Sequence, residues 1–215
     1  MTRPSRIALR APGGPQLAAL LWEAPAGRPG VVIVPGLGSR KDNHRDMGAA
    51  LSRAGLAALA LDLRGHGDSA GELDEGCLDD VHAAIAHLAG RGHRDLGVRG
   101  SSMGGMLALM ASAHERVRAV VAICAARPEA LAERIGADWP RAVDLPAAVR
   151  HAGVARGFWH ATGDDTVPWA HSFHLSGLSP QPVRLRVTMG GGHQTLQHDP
   201  AVIAETVAFL RAHLT

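Results

Sequence analysis

The chain has no tyrosine, only 3% aromatic residues and two cysteines among 215 residues. Without tyrosine there is no phenol to act as an acid or to stack bases, and four Trp and three Phe are all that remain to line an aromatic pocket. Cys77 and Cys124 stand far apart, outside any metal-ligand spacing, and read as two structural thiols in a reducing compartment. No stretch approaches the ~18 consecutive apolar residues of a membrane span, and the N-terminus lacks the shorter apolar run of a secretory signal. Neither sign of charge is in excess, with 22 Lys+Arg against 20 Asp+Glu, and the arginines are scattered. A scattered set builds no basic groove. These absences point to a cytoplasmic protein with neither a membrane nor a nucleic-acid partner, and they leave the oligomeric state open.

What is present is 46% hydrophobic residues, enough at this length for one sizeable core, so a single domain over 1–215 is expected. Gly30 to Val34 is a β-branched run of the kind buried on both faces of a parallel sheet. Leu56 to Leu61, Leu96 to Arg99, Val117 to Cys124, Phe158 to Ala161 and Val183 to Thr188 repeat that type. Helical spacing fills the intervals at Arg45 to Ala54, at Leu78 to Leu88, at Met103 to Ala113 and after Asp199. Arg6 to Arg10 and Gln16 to Trp22, joined through Pro12-Gly13-Gly14-Pro15, predict a hairpin at one sheet edge. The alternation predicts an α/β fold with a mostly parallel central sheet and helices on both faces.

Gly100-Ser101-Ser102-Met103-Gly104 fits Gly-x-Ser-x-Gly, in which a serine occupies a sharp strand-to-helix turn. A chain with 26 glycines meets this pattern by chance often enough that its weight comes from its setting. That setting is a strand before it and an apolar helix after it. The turn would lift the Ser102 hydroxyl above the sheet and leave the Met103 N–H at a helix N-terminus, where it can stabilise an oxyanion. Pro35-Gly36-Leu37-Gly38 ends another strand, and the Leu37 N–H is the candidate second donor. Asp164 or Asp165, following the Phe158 strand, can supply a carboxylate on the same rim. Thirteen histidines make any one of them weak evidence, but His193 is singled out by following the last strand on the glycine loop Gly190-Gly191-Gly192. Asp62 to Ser69, rich in charge and glycine, reads as a turn bonded to itself rather than a metal site. Ala125 to Gly153 breaks the rhythm, and residues 126–153 are expected to form a short lid.

With these motifs in this order the sequence resembles the α/β-hydrolase superfamily over nearly the whole chain from Val31. The motifs that carry the likeness are Pro35 to Gly38, Asp62 to Ser69, Gly100 to Gly104, and His160-Ala161-Thr162-Gly163-Asp164-Asp165-Thr166-Val167-Pro168. The last is similar to the superfamily's His-Gly-x-x-Asp-x-x-Val-Pro and aligns the acid with Asp164. Pro35 stands where a histidine is frequent, and Ala161 where a glycine is. The resemblance, nearest to small carboxylesterases of the dienelactone-hydrolase-like and feruloyl-esterase-like groups, implies a Ser102, Asp164, His193 triad with Leu37 and Met103 forming the oxyanion hole. It implies a small carboxylic ester as substrate, with no metal and no organic cofactor. Trp139, Trp159 and Trp169 lie in segments near the rim and are expected to contact substrate. A peptidase, an acyltransferase or a non-catalytic binding protein on the same scaffold would carry the same residues.

Overall fold

A computed structural model describes residues 3–214. Eight strands form one sheet in the order β1-β2-β4-β3-β5-β6-β7-β8. They are β1 (Ser5–Arg10), β2 (Gln16–Trp22), β3 (Gly30–Val34), β4 (Ala57–Leu61), β5 (Leu96–Ser101), β6 (Val117–Ile123), β7 (Ala155–Ala161) and β8 (Val183–Thr188). β1 and β2 are the expected edge hairpin, Ser5 facing Leu21 and Arg10 facing Gln16, and β2 pairs antiparallel with β4. All other neighbours run parallel.

Parallel neighbours require crossovers, and helices supply them. They are α1 (Arg45–Arg53), α2 (Cys77–Gly90), α3 (Met103–Met110), α4 (Pro128–Ile135), α5 (Leu145–Val149) and α6 (Ala170–Leu178), while α7 (Pro200–His213) follows the last strand. Alternate residues of each central strand feed two separate cores. Val32 and Val34 join Val98, Leu107 and Phe158 on the face covered by α2 and α3. Val31 and Ile33 join Met47, Leu51, Trp159 and Leu210 on the face covered by α1 and α7. Every residue of β3 and β4 is buried, which is why these strands read as continuous apolar runs instead of alternating ones. Burying each large aliphatic side chain contributes about 1.5–3 kcal/mol, so a strand covered on both sides is hard to displace.

Helix α6 adds an element that the periodicity does not announce. Its sequence AHSFHLSGL buries only Ser172 and Leu175, so it carries no apolar stripe. The β3–α1 link also begins earlier than expected, with a 3₁₀ turn over Lys41–His44. No helix among the described residues is long and apolar enough to cross a membrane.

From β3 the chain passes to β4 on one side and later to β5 on the other, so β3 and β5 are neighbours whose connections leave in opposite directions. Such a switch point opens a crevice at the strands' carboxyl ends. The loops that meet there carry Gly36-Leu37 and Ser102.

Candidate active site

Ser102 sits between β5 and α3 with φ 54° and ψ −121°, one of two non-glycine residues at positive φ among those described. A side chain held there costs of order 1–3 kcal/mol and persists only if its surroundings fix it. They do so through three backbone hydrogen bonds. The Ser102 N–H donates to the Ile123 carbonyl at 2.9 Å, and the Ser102 carbonyl accepts from Met106 at 3.0 Å and Ala126 at 2.9 Å. The flanking glycines are sterically compulsory, since a Cβ on Gly100 would lie 2.0 Å from the Gly104 carbonyl oxygen and one on Gly104 would lie 2.1 Å from that of Val34.

The strained turn projects the Ser102 Oγ to 2.8 Å from His193 Nε2. His193 Nδ1 lies 2.8 Å from Asp164 Oδ2. A carboxylate can only accept, so Nδ1 carries the proton and Nε2 is free to accept from the serine hydroxyl. The base comes from the loop after β8, which is tied down by Gly190 N–H to Thr162 Oγ1 at 2.8 Å and Gly192 N–H to Thr195 Oγ1 at 2.9 Å.

Between the two candidate acids the geometry selects Asp164. Its side chain is buried, whereas Asp165 is exposed at the cavity mouth. Asp164 Oδ1 accepts the Thr166 and Val167 N–H groups at 2.9 and 2.8 Å. Oδ2 faces His193 and also His160 Nε2 at 3.2 Å. Burial alone would raise the Asp164 pKa, but the Val167 N–H, His193 and the Thr166 N–H hold it below the ordinary carboxylate value. His160 is a second imidazole on the same carboxylate. Its Nε2 is 2.9 Å from the Val167 carbonyl and must donate, so Nδ1 accepts from Ser172 Oγ at 2.7 Å. Burial lowers the His160 pKa and keeps the ring neutral.

Leu37 follows β3 and lines the cavity over Ser102. The ideal Cβ of neighbouring Gly36 falls 3.3 Å from Ser102 Cβ, so this turn abuts the elbow. Met103 opens α3 with its side chain in the core, leaving its main chain at the helix N-terminus. No hydrogen bond among the described residues uses either the Leu37 or the Met103 N–H outside regular secondary structure. The cavity measures about 360 Å³. One wall is formed by α4 and the two residues before it, through Ala126, Arg127, Ala130, Leu131 and Arg134, within the expected lid segment.

The three tryptophans are a correction, because none lines this cavity. Trp159 is fully buried against Phe209 in the α7 layer, its indole N–H donating to Glu205 Oε2 at 2.9 Å. Trp139 lines a separate pocket of about 340 Å³ beside Leu107 and Met110. Trp169 is 40% exposed and packs edge-on with Phe173. The Asp62 to Ser69 turn is bonded to itself as expected, Ser69 Oγ to the Asp62 carbonyl at 2.7 Å, and Lys41 Nζ binds both Asp62 and Asp68 at 2.6 Å. Cys124, Asp164 and His193 place ligand-type atoms within 4.8 Å of one another. As a metal site this set fits poorly, since burial pushes the Cys124 thiol up to about 12 and the other two bind each other.

One arrangement escaped the sequence reading. The residue before the nucleophile, Ser101, donates from Oγ to Gln197 Oε1 at 2.8 Å, and Arg99 Nη2 donates to the Gln197 carbonyl at 2.8 Å. The strand bearing the serine thus grips the segment that follows the histidine loop. Arg99 is fully buried with Nε and Nη1 unpartnered, and burial pulls its pKa down to about 10. A charge inside an otherwise apolar central strand was the available signal.

A search of curated protein sequences finds no match. Among solved structures, the chain is similar to the α/β hydrolase GrgF of Penicillium sp. sh18, with TM-score 0.83, 17% identity and 99% of each chain covered. It is similar to Est1E of Butyrivibrio proteoclasticus, solved with ferulic acid bound, with TM-score 0.83, 19% identity, and 96% of this chain and 98% of that one covered. The esterase Pf2001 of Pyrococcus furiosus matches with TM-score 0.82 and 18% identity, over 99% of this chain and 91% of that one. At such identities the likeness is one of fold. A family model described as the α/β hydrolase fold matches residues 29–153, more than half of the sequence, and the chain therefore belongs to the α/β-hydrolase fold family.

Proposed function

We propose that this protein is a serine hydrolase that cleaves a small carboxylic ester through an acyl-enzyme. The observation that carries the reading is the continuous hydrogen-bonded line from Ser102 Oγ through His193 to Asp164, at 2.8 Å in each step. In this mechanism His193 Nε2 takes the hydroxyl proton as Oγ attacks the ester carbonyl, and Asp164 stabilises the imidazolium that forms. The Leu37 and Met103 N–H groups receive the tetrahedral oxyanion, a contribution of about 3 kcal/mol per donor in comparable sites. His193 returns the proton to the leaving alcohol, and water, activated by the same imidazole, repeats the attack to release the acid and regenerate Ser102. The reading needs no cofactor. Residues 126–153 serve as its lid, supported by α4 lining the cavity, and the buried free thiols Cys77 and Cys124 suit a reducing cytoplasm.

The test is incubation with a fluorophosphonate followed by intact mass and peptide mapping. One adduct on Ser102, absent from Ser102→Ala, together with turnover of short p-nitrophenyl esters, is the expected result. A folded protein that takes no adduct and turns over no ester would be a binding protein on this scaffold, and turnover confined to amides would make it a peptidase.

A further inference from the structure

The α4 wall of the cavity carries a charge pattern that bears on which ester is cleaved. Arg127 is the N-cap residue of α4 and Arg134 lies in its last turn, and both line the cavity over Ser102. Seven residues of α-helix return to within ~20° of the same face after about 10 Å of rise, so the two guanidinium groups border one strip of the wall. Ala130 and Leu131 fill that strip between them.

Neither Arg127 nor Arg134 has a salt bridge or side-chain hydrogen bond among the described residues. The contrast is with other arginines of the same segment, which are occupied. Arg141 donates to Asp138 Oδ1 at 3.3 Å and Arg150 to the Pro146 carbonyl at 3.2 Å. In the lid, then, the cations that face the cavity are the unpartnered ones. The acidic side chain that lines the cavity, Asp165, comes from the loop after β7, and its Oδ1 accepts from Thr166 Oγ1 at 3.3 Å. The cavity is therefore polarised, with two cations on the helix wall and one carboxylate on the loop after β7. A neutral ester offers these two exposed guanidinium groups no charge to pair with, whereas an anionic one would meet them and be turned away from Asp165.

We propose, resting on the hydrolase reading and deepening it, that the substrate is an ester that bears a carboxylate in addition to the reacting ester group. The carboxylate lies against the α4 wall between Arg127 and Arg134, the apolar chain crosses Ala130 and Leu131, and the ester carbonyl reaches Ser102 Oγ. Arg127 and Arg134 are specificity-determining residues in this scheme, and they take no part in bond making or breaking.

The experiment compares kcat/KM for two matched pairs of esters. One pair places the charge on the acyl side, mono-4-nitrophenyl glutarate against 4-nitrophenyl pentanoate. The other places it on the alcohol side, 4-acetoxybenzoate against phenyl acetate. Two partly exposed ion pairs favour the charged member of at least one pair by roughly tenfold at low salt. In Arg127→Ala/Arg134→Ala that preference falls to about unity because kcat/KM for the charged member drops about tenfold further than for the neutral one, and the melting temperature holds because both side chains are exposed. Arg127→Glu/Arg134→Glu reverses the preference, and raising the salt concentration erodes it in the wild type. Equal or better cleavage of the neutral member in both pairs overturns the proposal, as does a preference that survives the double substitution. If no ester is turned over and no fluorophosphonate adduct forms, it is the hydrolase reading that falls. Calorimetric titration of the same four compounds into Ser102→Ala then decides the charge preference by itself, with tighter binding of an anionic member expected and equal binding refuting it.

Discussion

Replacing Asp164 by asparagine changes one carboxylate oxygen into an NH₂ group and leaves the volume almost unchanged. The Thr166 and Val167 N–H groups at 2.9 and 2.8 Å require an acceptor at Oδ1, so the new NH₂ must take the Oδ2 position. There it faces His193 Nδ1 at 2.8 Å and His160 Nε2 at 3.2 Å. A donor opposite Nδ1 forces the other tautomer of His193, which points an N–H at Ser102 Oγ and removes its capacity to accept the hydroxyl proton. His160 cannot adapt in the same way, because its Nε2–H is committed to the Val167 carbonyl at 2.9 Å. Two donors then face each other, at a cost of about 1–3 kcal/mol in stability. A wrong tautomer in a comparable triad lowers kcat by about 10⁴, which at 1.36 kcal/mol per decade is about 5.5 kcal/mol of lost transition-state stabilisation. The assay is steady-state hydrolysis of whichever p-nitrophenyl ester the wild type accepts, with circular dichroism and urea unfolding on the same samples. A folded Asp164→Asn within tenfold of wild-type kcat would refute the assignment. The lowered Asp164 pKa gives a companion expectation with a definite sign. Its share of stability is complete above the ordinary carboxylate value and is lost as pH falls through the lower folded value, so Asp164→Asn flattens the acid limb of the pH–stability curve.

Other expectations are independent of that one. Arg99→Met removes a buried cation with two unpartnered nitrogens and should raise stability by about 1 kcal/mol or more, seen as a higher urea midpoint. It should also lower kcat by roughly tenfold, because the Gln197 carbonyl loses its anchor and the histidine segment shifts; unchanged kcat would separate this contact from catalysis. His44 is fully buried, and burial, with Arg99 and His198 nearby, lowers its pKa to about 3. The unfolded chain therefore binds its proton first, and stability falls as pH drops from 6.5 towards 3. At pH 5 the loss is about 2 kcal/mol, which His44→Leu should abolish in a pH series of thermal melts. Burial pushes both Cys77 and Cys124 up to about 12, so neither should take iodoacetamide in the native protein at pH 8, while both should in urea; native labelling detected by mass would contradict their packing.

The parts of the molecule written in β-branched runs and glycine turns were legible in the sequence. Val31 to Val34 reads as a central strand from its β-branched run, and Ser102 reads as a turn residue from the strand before it and the helix after it. The structure adds the reason for the glycine, since Gly104 approaches Val34 too closely for a side chain. His193 is singled out by its place after the last strand, while position alone leaves Asp164 and Asp165 equal and only the likeness to the superfamily motif favours Asp164. The tryptophans could not be placed. Phe158 and Trp159 are adjacent in β7 and both are buried, but they enter opposite cores, and nothing local says which face meets which layer. Gln197 lay beyond reach for another reason. It sits in a 3₁₀ turn with no periodicity, and its partners Arg99 and Ser101 are almost a hundred residues away.

The histidine is carried by one edge of the sheet. β8 is an edge strand with a single neighbour and no fully buried residue, whereas Ser102 follows β5, which is buried along its length between two partners. Fraying proceeds from such edges, at a free-energy cost well below that of global unfolding. On warming, β8 and the His193 loop should therefore detach while the central strands are still paired, and turnover should cease several degrees before the far-ultraviolet signal is lost. The upper working temperature of this protein is then a property of one exposed edge, and staples placed there would extend it where further packing of the interior would not.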